Sequence, residues 1–264
     1  MPDRIENSPT RIVTLLTDFG TTDTYVGAVK GVILSINSHV RIVDITHEAV
    51  PQNVEEGAFL IEEYYRFFPT GTIHVCIIDP TVGSTRRPLV ACKDGYFFIG
   101  PDNGLLTNIL DGAQIRSIEN RDLMLGHISN TFHGRDIFAP AAAHISLGVE
   151  PFMLGQEIAD PIRLKDLNPS VERNQLTGKI MRFDHFGNAI TNIKSDFLHR
   201  FISDGDFRIQ VGSITINEIS KSFFEHELTC IEGSSGYIEF AYFKGSFQSV
   251  SGLTRNDPVR ITRI

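Results

Sequence analysis

The sequence predicts an α/β protein, with an N-terminal α/β domain on a mostly parallel sheet and a smaller all-β domain after it. Three observations carry that prediction. Short β-branched runs alternate with helix-periodic segments from residue 11 to about 150. A stretch rich in Pro, Asp and Asn follows over 150–174. Beyond it, apolar and polar residues alternate at period two, as antiparallel half-buried strands do. A chain of 264 residues holds one large or two modest domains, either with a real core.

Residues 11–17, RIVTLLT, read as a buried strand that stops at Asp18-Phe19-Gly20. Residues 23–36 place Val26, Val29, Ile33 and Ile36 at three- and four-residue spacing, with Thr22 or Asp23 as N-cap, and 41–46 form the next strand. That succession is a βαβ unit, hence parallel strands and a right-handed crossover. A second helix starts at Asn53, with Glu55 and Glu56 in the first turn where the helix dipole favours acids. It sets Ala58, Ile61, Tyr65 and Phe68 on one side and ends at Pro69. A strand over 72–78 runs into the loop 79–87, followed by strands near 89–92 and 96–99. A helix follows His133-Gly134-Arg135, with Pro140 in its first turn and Ala141-Ala142-Ala143 as its body. Residues 150–174 read as a linker, and the runs 207–211, 237–242 and 259–264 as half-buried strands.

With 24 Lys and Arg against 32 Asp and Glu, the net charge is −8 and no basic run occurs, which argues against nucleic acid as a partner. Hydrophobic residues at 41% and charged residues at 21% exclude disorder and fibrous repeats. Cys76, Cys92 and Cys230 lie far apart, are odd in number and form no CxxC, so neither a disulfide framework nor a zinc site is expected. The opening MPDRIENSPTR has no apolar segment behind it, and the first hydrophobic run is too short for a signal peptide or a membrane span. A soluble cytoplasmic protein without membrane contact is expected.

Ligands of open parallel sheets sit beyond the carboxyl ends of strands, where Asp18 and Asp79 fall. A carboxylate at Asp18 suits the paired hydroxyls of a ribose; the alternative is a cap on the turn. The loop 79–87 sets Asp79 against Arg86 and Arg87, either as a ligand loop or as a solvated surface pair. No phosphate-binding glycine motif is present. His133 stands at a helix start, either structural or placed to move a proton near neutral pH. In the second domain, 184–188 and 232–236 are polar turns. Asn188 can read an adenine edge, and serine hydroxyls can hold a carboxylate, although both segments also carry the usual residues of hairpins. Composition and spacing thus point to a small-molecule site without naming a reaction.

Six segments together are more specific than any one alone: TDFGTTDTYVGAVKGVI (17–33), DPTVGSTRRP (79–88), GPDNGLLT (100–107), TFHGRDIFAPAAA (131–143), DHFGNAITN (184–192) and EGSSGYIEFA (232–241). In this order, across essentially the whole chain, they resemble the S-adenosyl-L-methionine (SAM) hydroxide adenosyltransferases, which are related to fluorinating and chlorinating enzymes acting on the same substrate. The resemblance implies a Rossmann-like α/β domain over 1–165, a linker over 166–174 and a β-barrel over 175–264. It also implies a homotrimer with active sites between one subunit's first domain and its neighbour's second. The implied reaction is attack of water on the ribose 5′ carbon of SAM, giving adenosine and L-methionine with no cofactor and no metal. Under the resemblance Asp79, Arg86 and His133 act on the water, Asp18 binds the ribose and Phe132 lines the pocket. Asp184 meets the methionine amine, Asn188 reads the adenine, and Ser234 and Ser235 contact the methionine carboxylate.

The halogenating relatives carry Tyr where this chain has Asp79, and a Tyr-Ser pair where it has His133-Gly134. That exchange replaces a dry halide pocket with ionisable groups suited to water. The hydrolase loop usually reads DPGVG, and here Thr81 replaces its first glycine. A halogenase on the same scaffold and a SAM or adenosine sensor without turnover are the alternative readings. A metal-dependent hydrolase built on Asp18, Asp79, His133 and Asp136 would lack any established ligand spacing.

Overall fold

The computed structural model describes residues 11–203 and 205–264, so residues 1–10, on which the leader reading largely rested, lie outside it. The chain divides into two compact units, one ending at Leu164 and the other spanning Lys165–Ile264.

In the first unit β1 (Ile12–Thr17), α1 (Tyr25–Ile36) and β2 (Arg41–Thr46) make the expected crossover, with Ile12 opposite Arg41 in parallel register. The cap differs from expectation: neither Thr22 nor Asp23 starts α1, and Thr24 holds the position without a side-chain bond. α2 (Val54–Tyr64) does start from Asn53, whose side chain accepts the Glu56 N–H at 3.2 Å, and Ala58, Ile61 and Tyr65 are buried. The chain then tightens into a 3-10 turn over Tyr65–Phe67 before Pro69. β3 (Ile73–Ile77) joins the far side of β1, and β5 (Tyr96–Pro101) joins β3, both in parallel. β4 (Pro88–Lys93) folds back on β5, and β6 (Gln114–Ser117), which the sequence pattern did not reveal, pairs with β4. The order β2-β1-β3-β5-β4-β6 is a mixed, mostly parallel sheet. α3 (Ala139–Ser146) has Pro140 in its first turn as expected, but a π-turn over Gly134–Phe138 leads into it.

Apolar residues cover both faces of this sheet, which is why its strands read as nearly continuous hydrophobic runs. Val13 and Leu15 of β1 pack with Val29 and Ile33 of α1, while Leu16 packs with Ile61 of α2 on the other side. One imidazole is set among the aromatic residues of the interior. His74 is fully buried, with Nδ1 2.8 Å from Thr14 Oγ1, its ring stacked on Phe98 at 5.0 Å, and no partner for Nε2. Burial pushes its pKa down to about 3. The unfolded chain therefore binds a proton that the folded chain refuses. Stability from this group is complete above the unfolded value near 6.5 and is lost as pH falls from there toward 3, at about 1.4 kcal/mol per pH unit. We expect the urea midpoint to fall between pH 7 and pH 5, and His74→Gln to flatten that fall. An equally steep fall in the variant would remove His74 as its source.

The stretch 150–174 is more ordered than a linker. Leu154 is fully buried in the first unit's core, the Ser117 N–H donates to Gln156 O at 2.9 Å, and β7 (Ser170–Glu172) pairs with the second unit's first long strand. Its Pro and Asn content marks irregular backbone, and irregular backbone can still pack.

The second unit comprises β8 (Gln175–Phe183), β9 (Ala189–Lys194), β10 (Phe207–Val211), β11 (Ile214–Ile216), β12 (Leu228–Glu232), β13 (Tyr237–Tyr242) and β14 (Pro258–Arg263). They run β11-β10-β14-β8-β9-β13-β12 with β7 on β8, every pairing antiparallel. A bridge from Ser220, just past β11, to Ile231 of β12 nearly closes the sheet into a barrel. The expectation of strands alone needs one correction, because α4 (Ser195–Ile202) and α5 (Phe247–Ser251) interrupt them. α4 buries Leu198, Phe201 and Ile202 against the barrel core, a helical spacing only eight residues long. Among the described residues no helix is long and apolar enough to cross a membrane. The three cysteines are free thiols, with Cys76 and Cys230 buried.

Candidate active site

β1 and β3 end side by side, with Thr17 opposite Ile77, so parallel pairing delivers Asp18 and Asp79 to one edge of the sheet. Beyond that edge lies a pocket of about 250 Å³ whose lining includes Asp18, Gln52, Asp79, Val82, Phe132 and His133.

Asp79 and Arg86 are nearly withdrawn from water, with side chains 6% and 4% exposed. They form a two-point ion pair: Nε lies 3.0 Å from each carboxylate oxygen, and Nη2 donates to Oδ2. Nη2 also lies 2.8 Å from His133 Nδ1. A guanidinium only donates, so Nδ1 accepts, and His133 is neutral with its proton on Nε2. Burial first, then the Arg86 charge, lowers the His133 pKa from its usual 6.5, with Asp79 and Asp136 opposing. The structure thus brings together the three residues to which the resemblance attaches the water. The remaining nitrogen, Nη1, is buried without a hydrogen-bond partner, and the guanidinium carbon sits 5.3 Å from the centre of the Phe138 ring. Arg87, the neighbour that sequence reading grouped with Arg86, turns to other acids: Nε bonds Asp102 and Nη1 bonds Asp160, each at 2.8 Å.

The loop that carries Arg86 is fixed by a close backbone approach. Gly83 adopts φ +81°, and a Cβ there would lie 2.2 Å from the Asn130 carbonyl oxygen. Thr81, at the position where the resembling loops have glycine, donates its hydroxyl to Asp79 Oδ1 at 3.3 Å. The segment facing it is tied by Asp136, fully buried, which accepts the Ser129 N–H at 2.8 Å and the Arg135 guanidinium at 2.6 Å.

Asp18 Oδ2 accepts the Gln52 backbone N–H at 2.8 Å, with Gln52 held at φ +64°. Nothing in the sequence singles out Gln52, because a left-handed residue other than glycine leaves no periodicity. Phe132 joins Phe19 and Tyr25 in an edge-to-face cluster, with centroids 5.8 and 5.4 Å away, beside the same pocket. Among the described residues, no group of three or more His, Cys, Asp or Glu is placed to hold a metal ion.

The four remaining candidates lie in two turns of the second unit. Asp184 Oδ1 accepts the backbone N–H groups of Phe186 and Asn188 at 2.9 and 2.8 Å, and Oδ2 accepts the Asn188 side-chain amide at 3.0 Å. The carboxylate therefore builds its own turn and orients Asn188. Ser234 and Ser235 occupy the turn between β12 and β13, where Ser235 Oγ is shielded from solvent with no partner. The register separates these turns: β9 leaves the 184–188 turn with Ala189 opposite Phe240, and reaches Lys194 opposite Tyr237, beside the serines. On β13 the same stretch is Tyr237 to Phe240, three steps or about 10 Å, because a bulge interrupts the pairing. The two turns therefore flank opposite ends of β9.

Residues 13–155 match the family model described as the SAM hydroxide adenosyltransferase N-terminal domain, and 178–260 match that of the C-terminal domain. The chain is 34% identical to an (R)-S-adenosyl-L-methionine hydrolase of Methanocaldococcus jannaschii, over 95% of each chain. It is equally similar to the (R)-S-adenosyl-L-methionine hydrolase of Thermus thermophilus, at 34% identity over 95% of this chain and 99% of the relative. A fluorinase of Actinopolyspora mzabensis is 30% identical over 71% of this chain and 73% of its own. Among solved structures, an uncharacterized conserved protein from Thermotoga maritima superimposes with a TM-score of 0.88 at 34% identity, over 95% of this chain and all of that one.

Proposed function

Because the chain belongs to the SAM hydroxide adenosyltransferase family, we propose that it hydrolyses SAM by attack of water on the ribose 5′ carbon, releasing adenosine and L-methionine. The observation that carries this reading is the buried Asp79–Arg86–His133 chain on a pocket that also holds Asp18. The water oxygen bonds to C5′, the C5′–S bond breaks with its electron pair going to sulfur, and methionine leaves as a neutral thioether. The leaving group needs neither a proton nor a Lewis acid, so the reading requires no cofactor or metal, and a chelator leaves the rate unchanged.

The water's proton is the difficulty, since bulk water has a pKa near 15.7. A positioned base contributes about 10²- to 10⁴-fold. In-line positioning and exclusion of bulk water supply the larger share, with effective molarities of roughly 10⁵–10⁸ M. His133 Nδ1 is spent on Arg86, so Asp79 is the base, Arg86 fixes its plane, and His133 offers its Nε2–H to the oxygen. Asp18 takes ribose hydroxyls, Phe132 lines the pocket, Asn188 reads the adenine with Asp184 orienting its amide, and Ser234 and Ser235 take the methionine carboxylate. In this arrangement Asp184 also meets the methionine amine. The working form is a cytoplasmic homotrimer in which one subunit's first domain faces its neighbour's second. What supports a shared site is the pocket volume, about 250 Å³, below the roughly 300–1,000 Å³ of sites that enclose a whole ligand. Light scattering on the purified protein tests the trimer.

Turnover in ¹⁸O-water tests the reaction: adenosine labelled at its 5′ hydroxyl with unlabelled methionine is expected. A 5′-halogenated nucleoside on adding chloride or fluoride would favour the halogenase, and bound but unchanged SAM would favour a sensor. The pH profile tests the imidazole. Protonated His133 cannot accept from Arg86, and its folded pKa lies below 6.5, so kcat is expected to hold down to that pH and to fall only below it. An acid limb centred above 6.5 would contradict the assignment.

A further inference from the structure

The Asp79–Arg86–His133 chain accounts for only part of the guanidinium. Arg86 Nη1 is buried and has no hydrogen-bond partner, although the side chain is 96% hidden from solvent, as its 4% exposure requires. What lies against the cation is an aromatic face: the Phe138 ring, itself fully buried, with its centre 5.3 Å from the guanidinium carbon. We propose that Phe138 is a positioning residue for the hydrolysis, its ring face holding the Arg86 guanidinium in the plane from which it grips Asp79 and His133. This rests on the reading that those three residues act on the water.

The backbone explains why this side chain is available. His133 and Phe138 are five residues apart, and on an α-helix of 3.6 residues per turn such positions point about 140° away from each other. The segment Gly134–Phe138 is a π-turn, with the next N–H, that of Ala139, reaching back to Gly134 O. Bonding from i to i+5 widens the turn and brings residues five apart much nearer to one face, and such turns recur at functional sites. The imidazole of His133 and the ring of Phe138 therefore meet the same guanidinium. The negative face of a ring attracts a cation most strongly where water is excluded. Unlike a carbonyl or a carboxylate, it does so without a lone pair that would compete with Asp79 for the N–H groups.

Ring electrostatics can be changed at nearly constant shape, which separates this role from space filling. Phe138 is replaced in the full chain by 4-fluoro-, 3,5-difluoro- and 3,4,5-trifluorophenylalanine, and SAM hydrolysis is measured beside exchange of the Arg86 Nε–H in ¹⁵N-arginine-labelled protein. We expect kcat to fall stepwise with fluorination, to about tenfold in the trifluoro variant, with KM within about twofold and exchange quickening in the same order. Phe138→Leu falls at least as far. A kcat that stays flat across the series overturns the proposal, even if Phe138→Leu is impaired, because shape alone would then explain the leucine variant. Wild-type protein that leaves SAM intact would defeat the reading of the reaction instead. The exchange series would then decide separately whether the ring holds the guanidinium.

Discussion

Asp79→Asn is expected to bind SAM within a few-fold of wild type and to lower kcat by about 10²- to 10⁴-fold, the range for losing a positioned base. Asparagine keeps the shape and one acceptor oxygen for Arg86 but cannot take the proton of the attacking water. The same change leaves a guanidinium that is 4% exposed without its counter-ion. Breaking a buried pair costs roughly 3–5 kcal/mol when the remaining charge is uncompensated. The retained amide oxygen offsets part of that, so a lower melting temperature accompanies the kinetic loss without abolishing the fold. Calorimetric affinity beside steady-state kinetics separates the two effects. Intact binding with undiminished turnover would move the proton to another group.

Gly83→Ala should be the next most damaging change, lowering kcat on the order of 10²-fold. At φ +81° any side chain is strained, and the added Cβ would meet the Asn130 carbonyl oxygen at 2.2 Å, a backbone atom that cannot swing aside. The loop must lift. Arg86 rides on it three residues later, and a misplacement of about 1 Å among reacting groups costs roughly 10²-fold. Gly112→Ala is the control: its φ is +73°, but nothing lies within 4 Å of the added Cβ. The control should lose stability and keep its turnover. Equal turnover in the two variants would show that the contact with Asn130 does not set the position of Arg86.

The spans 41–46, 207–211 and 237–242 are readable from sequence at the bounds the structure shows, because β-branched or alternating runs there stop at turn residues. The start of α1 is not readable, since Thr22, Asp23 and Thr24 are three capping types in succession and only the tertiary path selects Thr24. The π-turn before α3 escapes for another reason: it differs from an α-helix by one residue per turn and has no composition of its own. Within the site, placement of Asp18 and Asp79 follows from strand ends alone, while the grouping of Asp79, Arg86 and His133 came from resemblance. Which of two adjacent arginines faces Asp79 depends on loop geometry that sequence does not encode locally. That the turns 184–188 and 232–236 flank opposite ends of β9 likewise follows from the β9–β13 register, a long-range pairing that motif order cannot reveal.

That arrangement has a consequence for turnover. The turn holding Asn188 and the turn holding Ser234 and Ser235 flank opposite ends of β9. Under the proposed reaction SAM spans them as one molecule, and each end raises the effective concentration of the other at its own anchor. Cutting the C5′–S bond cuts that tether. Adenosine then keeps only its own contacts and methionine only its own, each with the affinity of a single small fragment. The chemical step itself discharges the site, so two weakly held products depart independently where one doubly held substrate had stayed.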